Sequence, residues 1–223
     1  MASIRTDLVV DNCNFNNNQS KYGGEVYNQT VFQSASYPYT FSNCQFIQNN
    51  AASLGGAIYN DHDNPSEMVV QIIGCVFDSN YVASTTAGDG GAIYCSGDGR
   101  GKMMISQSTF TDNSMKKNGG ALYLTSNLSG SDTILVTVVQ STFSNNFVEN
   151  TGETIEIFAN GANTKMFSNW LSCDFYAGNP DVLFLNRTTN GESNVTFENC
   201  NFYLTSGTEL TPIQLQQVMI QNH

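Results

Sequence analysis

Basic side chains are scarce. The 223-residue chain carries eight Lys and Arg against nineteen Asp and Glu, a formal net charge of −11. Such a surface repels phosphate backbones and anionic lipid, which argues against nucleic acid or a membrane surface as partner. Charge of either sign is sparse, at 12% of residues, too little for an ordinary helical protein. Histidine occurs twice, once at the C-terminus. No apolar run approaches the roughly 18–20 residues that span a bilayer, so no direct membrane insertion is expected in this segment. The opening residues "MASIRTDLVV" lack the apolar core of a secretion signal.

What is abundant is Asn, Ser, Thr and Gly, interleaved with regularly spaced Phe, Val and Ile. That periodicity is too strong for a disordered chain. A Cys/Ser-x-Phe motif places Phe15, Phe46, Phe77, Phe110, Phe143, Phe175 and Phe202 at spacings of 31, 31, 33, 33, 32 and 27 residues. Self-similarity at a fixed period marks a repeat architecture.

Each column of the repeat has its own chemistry. Five residues before each Phe stand Val10, Phe41, Ile72, Ile105, Val138, Trp170 and Phe197, with mostly apolar residues two positions further back. Period-two alternation of this kind predicts a strand. Three residues before Phe, Asn12, Asn43, Gly74, Gln107, Gln140, Ser172 and Asn199 suit a corner. Three residues after it, Asn18, Asn49, Asn80, Asn113 and Asn146 are expected to form a second corner that uses asparagine's tolerance of left-handed backbone.

A Gly-Gly pair then precedes a second short strand, as in "YGGEVYN", "LGGAIYN", "DGGAIYC" and "NGGALYL". The glycines allow a tight corner with positive φ and close stacking of equivalent corners. An aliphatic column follows: Val26, Ile58, Ile93, Leu122, Ile155 and Leu183. Next comes a column of Tyr27, Tyr59, Tyr94, Tyr123, Glu156 and Phe184. Neighbouring strand residues face opposite ways, and the glutamate suggests that the tyrosine column faces outward.

A unit of about 32 residues with these inward columns cannot bury its apolar face alone, whereas stacked copies can. The expected fold is all-β: a right-handed, single-stranded parallel β-helix of about seven coils. The handedness follows the strong right-handed preference of parallel crossovers. A β-propeller would need a longer period and hairpins. Residues 1–223 are expected to form one continuous segment, with a weaker repeat match over 160–223. Val218, Ile220 and Asn222 fall into the repeat's columns as if another coil began, so the segment is expected to belong to a longer solenoid.

Gly-Gly-Ala-Ile/Leu at 55–58, 90–93 and 119–122 alternates with Phe-x-x-Asn at 15–18, 46–49, 77–80, 110–113 and 143–146. This alternation resembles the repeats of the polymorphic outer-membrane proteins, bacterial autotransporter surface proteins. Glu25 replaces alanine in the first repeat, "TGETIEI" degrades the glycine pair in the fifth, and the last two lack it. The resemblance implies a parallel β-helix passenger region and a role in adhesion at the cell surface. The expected partner is a protein or glycan on a cell, and the expected location is extracellular. A structural rod docked to neighbouring subunits of an assembly is the alternative. A polysaccharide-processing, pectin-lyase-like enzyme is the second.

Candidate sites follow from the columns. Tyr27, Tyr59, Tyr94 and Tyr123 could form an aromatic strip for ligand binding; equally, they could be a self-stacking ladder. Asp61 and Asp63, with Asp98 one repeat on, are weak metal candidates; a solvated acidic loop is the plainer reading, and no cofactor is expected. Cys13, Cys44, Cys75, Cys173 and Cys200 share a column with Ser108 and Ser141, which points to free thiols chosen for size. Glu25 and Glu156 lie four coils apart, about 19 Å at the parallel stacking distance, too far for a carboxylate pair in glycoside hydrolysis. Catalysis is not expected. Asn18, Asn28, Asn127, Asn186 and Asn194 begin Asn-x-Ser/Thr sequons, possible glycan acceptors in a eukaryotic secreted protein.

Overall fold

A computed structural model of the chain describes residues 8–30, 38–62, 68–84, 88–97, 101–116, 118–126, 133–149, 154–159, 164–177, 184–188 and 192–204. Among the described residues all paired strands are parallel and fall into four sheets. The first sheet runs in seven strands from Leu8–Asp11 to Glu192–Glu198, and the second in seven from Asn14–Asn16 to Asn201–Leu204. The third has five strands, from Gln19–Tyr22 to Phe147–Val148, and the fourth six, from Val26–Thr30 to Phe184–Thr188. The result is an all-β solenoid of stacked parallel strands. About seven coils were expected, and that count needs correction. Among the described residues, five successive turns contribute to all four sheets and the next two contribute to fewer.

The sequence columns are the structural register. Phe15, Phe46, Phe77, Phe110, Phe143, Phe175 and Phe202 pair one with the next along the second sheet. Their rings stack at centroid distances such as 4.7 Å for Phe46–Phe77 and for Phe77–Phe110. From Phe46 to Phe175 they are essentially inaccessible to solvent. Opposite them pack Ile72, Ile105, Val138 and Trp170 of the first sheet and Ile58, Ile93, Leu122 and Ile155 of the fourth, in one continuous core. No single turn could shield such a stripe, so burial and stacking are the same event.

The first corner behaves as its composition indicates. Asn12, Asn43, Gly74, Gln107, Gln140, Ser172 and Asn199 all have positive φ, between 49° and 61°. The second corner differs from expectation. Left-handed backbone falls on Asn17, Gln48, Ser79, Asp112 and Asn145, one residue before the asparagine column. The asparagines themselves turn inward, and Asn49, Asn80 and Asn113 are fully buried. Each of these three donates from Nδ2 to a phenylalanine carbonyl of the preceding turn, as Asn80 does to Phe46 at 2.8 Å. Each also donates from Nδ2 to the next asparagine's Oδ1 at 2.9 Å. That Oδ1 further accepts the backbone N–H of the asparagine before it, for example Asn49 to Asn80 at 3.0 Å. A buried amide is tolerated only when so satisfied. The column stops after Asn146, where the next repeat has Gly178. Among the described residues the third sheet ends in the same turn, at Phe147–Val148.

The glycine pair does two separate jobs. Gly23, Gly55, Gly90 and Gly119 have φ of 56°, 62°, 74° and 69°. The second glycine has no positive φ but no room either. A Cβ on Gly56 would lie 1.9 Å from the Gly91 carbonyl oxygen and 2.7 Å from the Tyr81 nitrogen. Only a residue without a side chain lets fourth-sheet corners stack while touching third-sheet backbone. In the sixth turn the fourth-sheet register differs by one residue from the expected alignment. Phe184 pairs with Ile155 in the aliphatic column, and Leu185 pairs with Glu156. The columns at 218–223 lie outside the described residues.

Candidate functional site

The tyrosine column is the feature the sequence singles out. Tyr27, Tyr59, Tyr94 and Tyr123 are paired in register, and their rings lie face to face at 5.2, 5.2 and 5.5 Å. They do point away from the main core, because Ile58 and Asn60 take the inward positions on either side of Tyr59 and are buried. Outward is not the same as exposed, however. Tyr59 is 9% and Tyr123 7% accessible, whereas Tyr27 is 51%. Each ring shields its neighbour, and Tyr22, just before the glycine pair, covers Tyr27 and Tyr59 at 6.1 and 5.4 Å. The reason for expecting an open column also fails, since Glu156 in that column is wholly buried. Four rings therefore make one stabilising stack with a single well-exposed member, Tyr27. Burial, followed by the hydrogen bond to Asp61, pushes the Tyr59 hydroxyl far above its ordinary range.

Of the metal candidates, Asp61 is described and Asp63 and Asp98 lie outside the described residues. Asp61 accepts the Tyr59 hydroxyl at 3.0 Å, a contact that orients the ring edge. Among the described residues no three His, Cys, Asp or Glu side chains converge. Glu25 is exposed while Glu156 is enclosed, so the two acids share no solvent-facing cleft.

The sequons separate by position. Asn18 is half-buried and donates from Nδ2 to Asn49 Oδ1 at 3.0 Å, at the head of the asparagine column. That amide is already engaged. Asn194 is exposed, with Nδ2 3.3 Å from Glu192 Oε1. Asn28 and Asn186 lie in fourth-sheet strands, and Asn127 lies outside the described residues.

The cysteines are free thiols. Cys44 donates toward Ser42 and Val10 carbonyls at 3.1 and 3.5 Å, and Cys75 toward Phe41 and Ile73 at 3.4 and 3.5 Å. Ser108 makes the equivalent bond to Ser106 at 2.9 Å. The column thus selects a small donor. Burial pushes the Cys75, Cys95 and Cys173 thiols up to about 11 from an ordinary 9.0. The folded protein therefore keeps these groups neutral at pH values where the unfolded chain would ionise them. Their stabilisation is complete below about pH 9 and is withdrawn as pH rises to about 11. Urea midpoints should accordingly hold steady from pH 7 to 9 and fall beyond. The Cys75→Ser, Cys173→Ser double variant should lose less over that upper interval, and an equally steep fall in that variant would contradict the assignment.

Residues 43–61, 74–96 and 107–125 match the Chlamydia polymorphic membrane protein repeat. Those three segments are polymorphic membrane protein repeats. Each match begins at a positive-φ corner (Asn43, Gly74 or Gln107) and ends just beyond the tyrosine of the fourth sheet. It spans the phenylalanine, the ladder asparagine and the glycine pair. The polymorphic membrane protein repeat is therefore the second, third and fourth sheets of one turn, and the first-sheet strand lies between matches. No curated protein and no solved structure matches the chain. Such repeats imply a surface-exposed, outer-membrane-associated protein of adhesin-like character. No helix among the described residues is long and apolar enough to cross a membrane.

Sequence reasoning passed over one group of residues. Tyr176 and Tyr203 follow the core phenylalanines of the last two turns and face outward from the second sheet, 39% and 46% accessible. The signal was a Phe-Tyr pair in "CDFYAG" and "CNFYLT", visible only when the position after Phe is read as a column of its own.

Proposed function

We propose that the chain is a non-catalytic, extracellular β-helix of the adhesin type, using its outer sheet faces to hold a protein or glycan on another cell. The observation that carries this reading is the run of three polymorphic membrane protein repeats stacked in register. Stacked phenylalanine, asparagine and tyrosine ladders support a stiff display body, since each turn is held by hydrogen bonds and ring contacts to two others. The enclosed position of Glu156 removes one of two outward-column acids from any surface chemistry. Of the tyrosine column, Tyr27 is the ring available for contact.

The test is adhesion of beads coated with the purified chain to cultured epithelial cells. Coated beads should bind well above albumin-coated beads, and Tyr27→Ala should reduce binding about threefold without changing the urea midpoint. Adhesion no better than albumin would reject the adhesin reading. Adhesion unchanged by Tyr27→Ala would remove that ring from the contact surface.

A further inference from the structure

On the outer face of the second sheet, the position after each core phenylalanine forms a column: Asn16, Ile47, Asp78, Thr111, Ser144, Tyr176 and Tyr203. Its companion on the same face, two residues earlier, reads Asn14, Gln45, Val76, Thr109, Thr142, Asp174 and Asn201. Tyr176 and Tyr203 stack at 4.5 Å with 9° between ring planes. Beside them Asn201 Nδ2 donates to Asp174 Oδ1 at 2.8 Å. The tyrosines end abruptly at Ser144, the register partner of Tyr176. Tyr203 covers one face of the Tyr176 ring. On the other side the column offers a single hydroxymethyl group.

The step has a definite chemistry. Its wall is one face of an aromatic ring. Its floor is four small hydroxyl side chains, Thr109, Thr111, Thr142 and Ser144, all half-buried. At its edge sits a carboxylate already oriented by an amide. Parallel turns repeat at about 4.8 Å, so a missing side chain leaves a slot about as thick as one saturated six-membered ring. A pyranose presents an apolar C–H face to an aromatic ring and equatorial hydroxyls around its rim. It would bury the Tyr176 face while its hydroxyls find donors on the floor and an acceptor in Asp174. An apolar peptide side chain would leave those hydroxyls unpaired, at a cost in affinity. An anionic sugar would meet Asp174 and, two turns below Ser144 in the same column, Asp78, on a chain of net charge −11.

We infer that the step between Tyr176 and Ser144 is a binding subsite for a neutral pyranose unit of a glycan, with Tyr176 as the stacking platform and Asp174 and Thr142 as hydroxyl partners. The inference deepens the adhesin reading by naming a ligand class and rests on it for biological setting, but its physical test is independent.

Saturation-transfer difference NMR on the purified chain tests it, with cellohexaose, chitohexaose and mannohexaose as neutral probes and oligogalacturonate as the anionic control. At least one neutral probe should receive saturation on its ring protons, and the anionic one should not. Tyr176→Ala should weaken binding at least tenfold. Ser144→Tyr should do the same by prolonging the stack into the slot, and since it deletes no aromatic group and extends an existing ladder, its urea midpoint should not fall. Saturation of no neutral probe at 5 mM, preferential binding of oligogalacturonate, or full binding by Ser144→Tyr would each overturn the inference. Cell adhesion that survives Ser144→Tyr, with no neutral probe bound, would sink the slot and leave the adhesin reading standing. Oligosaccharide binding without cell adhesion would do the reverse.

Discussion

Asn80→Ala is expected to lower the unfolding free energy by about 3–4 kcal/mol, two or three buried polar groups at about 1–3 kcal/mol each. Asn80 is inaccessible to solvent. Its Oδ1 accepts the Asn49 backbone N–H at 3.0 Å and the Asn49 amide at 2.9 Å. Its Nδ2 donates to the Phe46 carbonyl at 2.8 Å and to Asn113 Oδ1 at 2.9 Å. Alanine leaves donors in the turn before without partners, in a space no protein group can refill. The comparison that makes the test specific is Asn18→Ala. Asn18 heads the column, is half-buried, and gives a single side-chain bond to Asn49, so its loss should cost about 1 kcal/mol. Equilibrium urea unfolding followed by far-UV circular dichroism measures both. Equal costs at the two positions would show that the column is not a cooperative hydrogen-bond ladder.

Gly91→Ala should be more damaging still, at more than about 4 kcal/mol or outright failure to fold, the range that marks a named structural lesion. A methyl group there would stand 2.0 Å from the Gly120 carbonyl oxygen and 2.8 Å from that of Ser114. Both obstacles are backbone atoms in adjacent sheets, so relief requires separating two turns along the solenoid axis. Gly101→Ala is the control. Gly101 lies in a first-sheet strand, paired with Met68 and Ile134, and lines a small apolar cavity with Met103, Ile134 and Met166. A methyl there reduces unfolded-chain entropy and fills space, so stability should hold or rise by up to about 1 kcal/mol. Similar midpoints for Gly91→Ala and the parent protein would mean that the corners do not touch as described.

The contrast between these positions shows what could be read in advance. The phenylalanine column, the first corner and the alternation of the fourth-sheet strand follow from period and side-chain type. A parallel stack maps sequence columns directly onto register, and every match in spacing is a match in space. The asparagine column was visible too, but its role was not. Asparagine both adopts left-handed backbone and satisfies a buried amide partner, and residue type does not separate these uses. The chain puts the left-handed residue one place earlier, at Gln48, Ser79 and Asp112, and sends Asn49, Asn80 and Asn113 inward. Neither Gln48 nor Ser79 announces a positive φ by composition.

The candidate site was less legible than the fold, for a related reason. Alternation along a strand tells which face a side chain leaves from, and it placed Tyr59 and Tyr123 on the outer face correctly. Whether that face meets water depends on what lies across it. Mutual ring stacking and Tyr22 close most of the column and leave Tyr27 open. The Tyr176 step needed both the register and the absence of a large neighbour at Ser144, a relation between turns that no single repeat contains.

By itself, then, the order of residues determined that this chain stacks in parallel turns, which residues share a column, and that three of its repeats are of the polymorphic membrane protein kind. A thirty-odd-residue period with apolar columns has one economical way to leave water, and that is physics local to the repeat. Only the assembled solenoid decided which outward rings are covered, where the glycines touch backbone, and where a ladder breaks to leave an aromatic face open. Those properties arise between neighbouring turns, from contact distances and missing atoms.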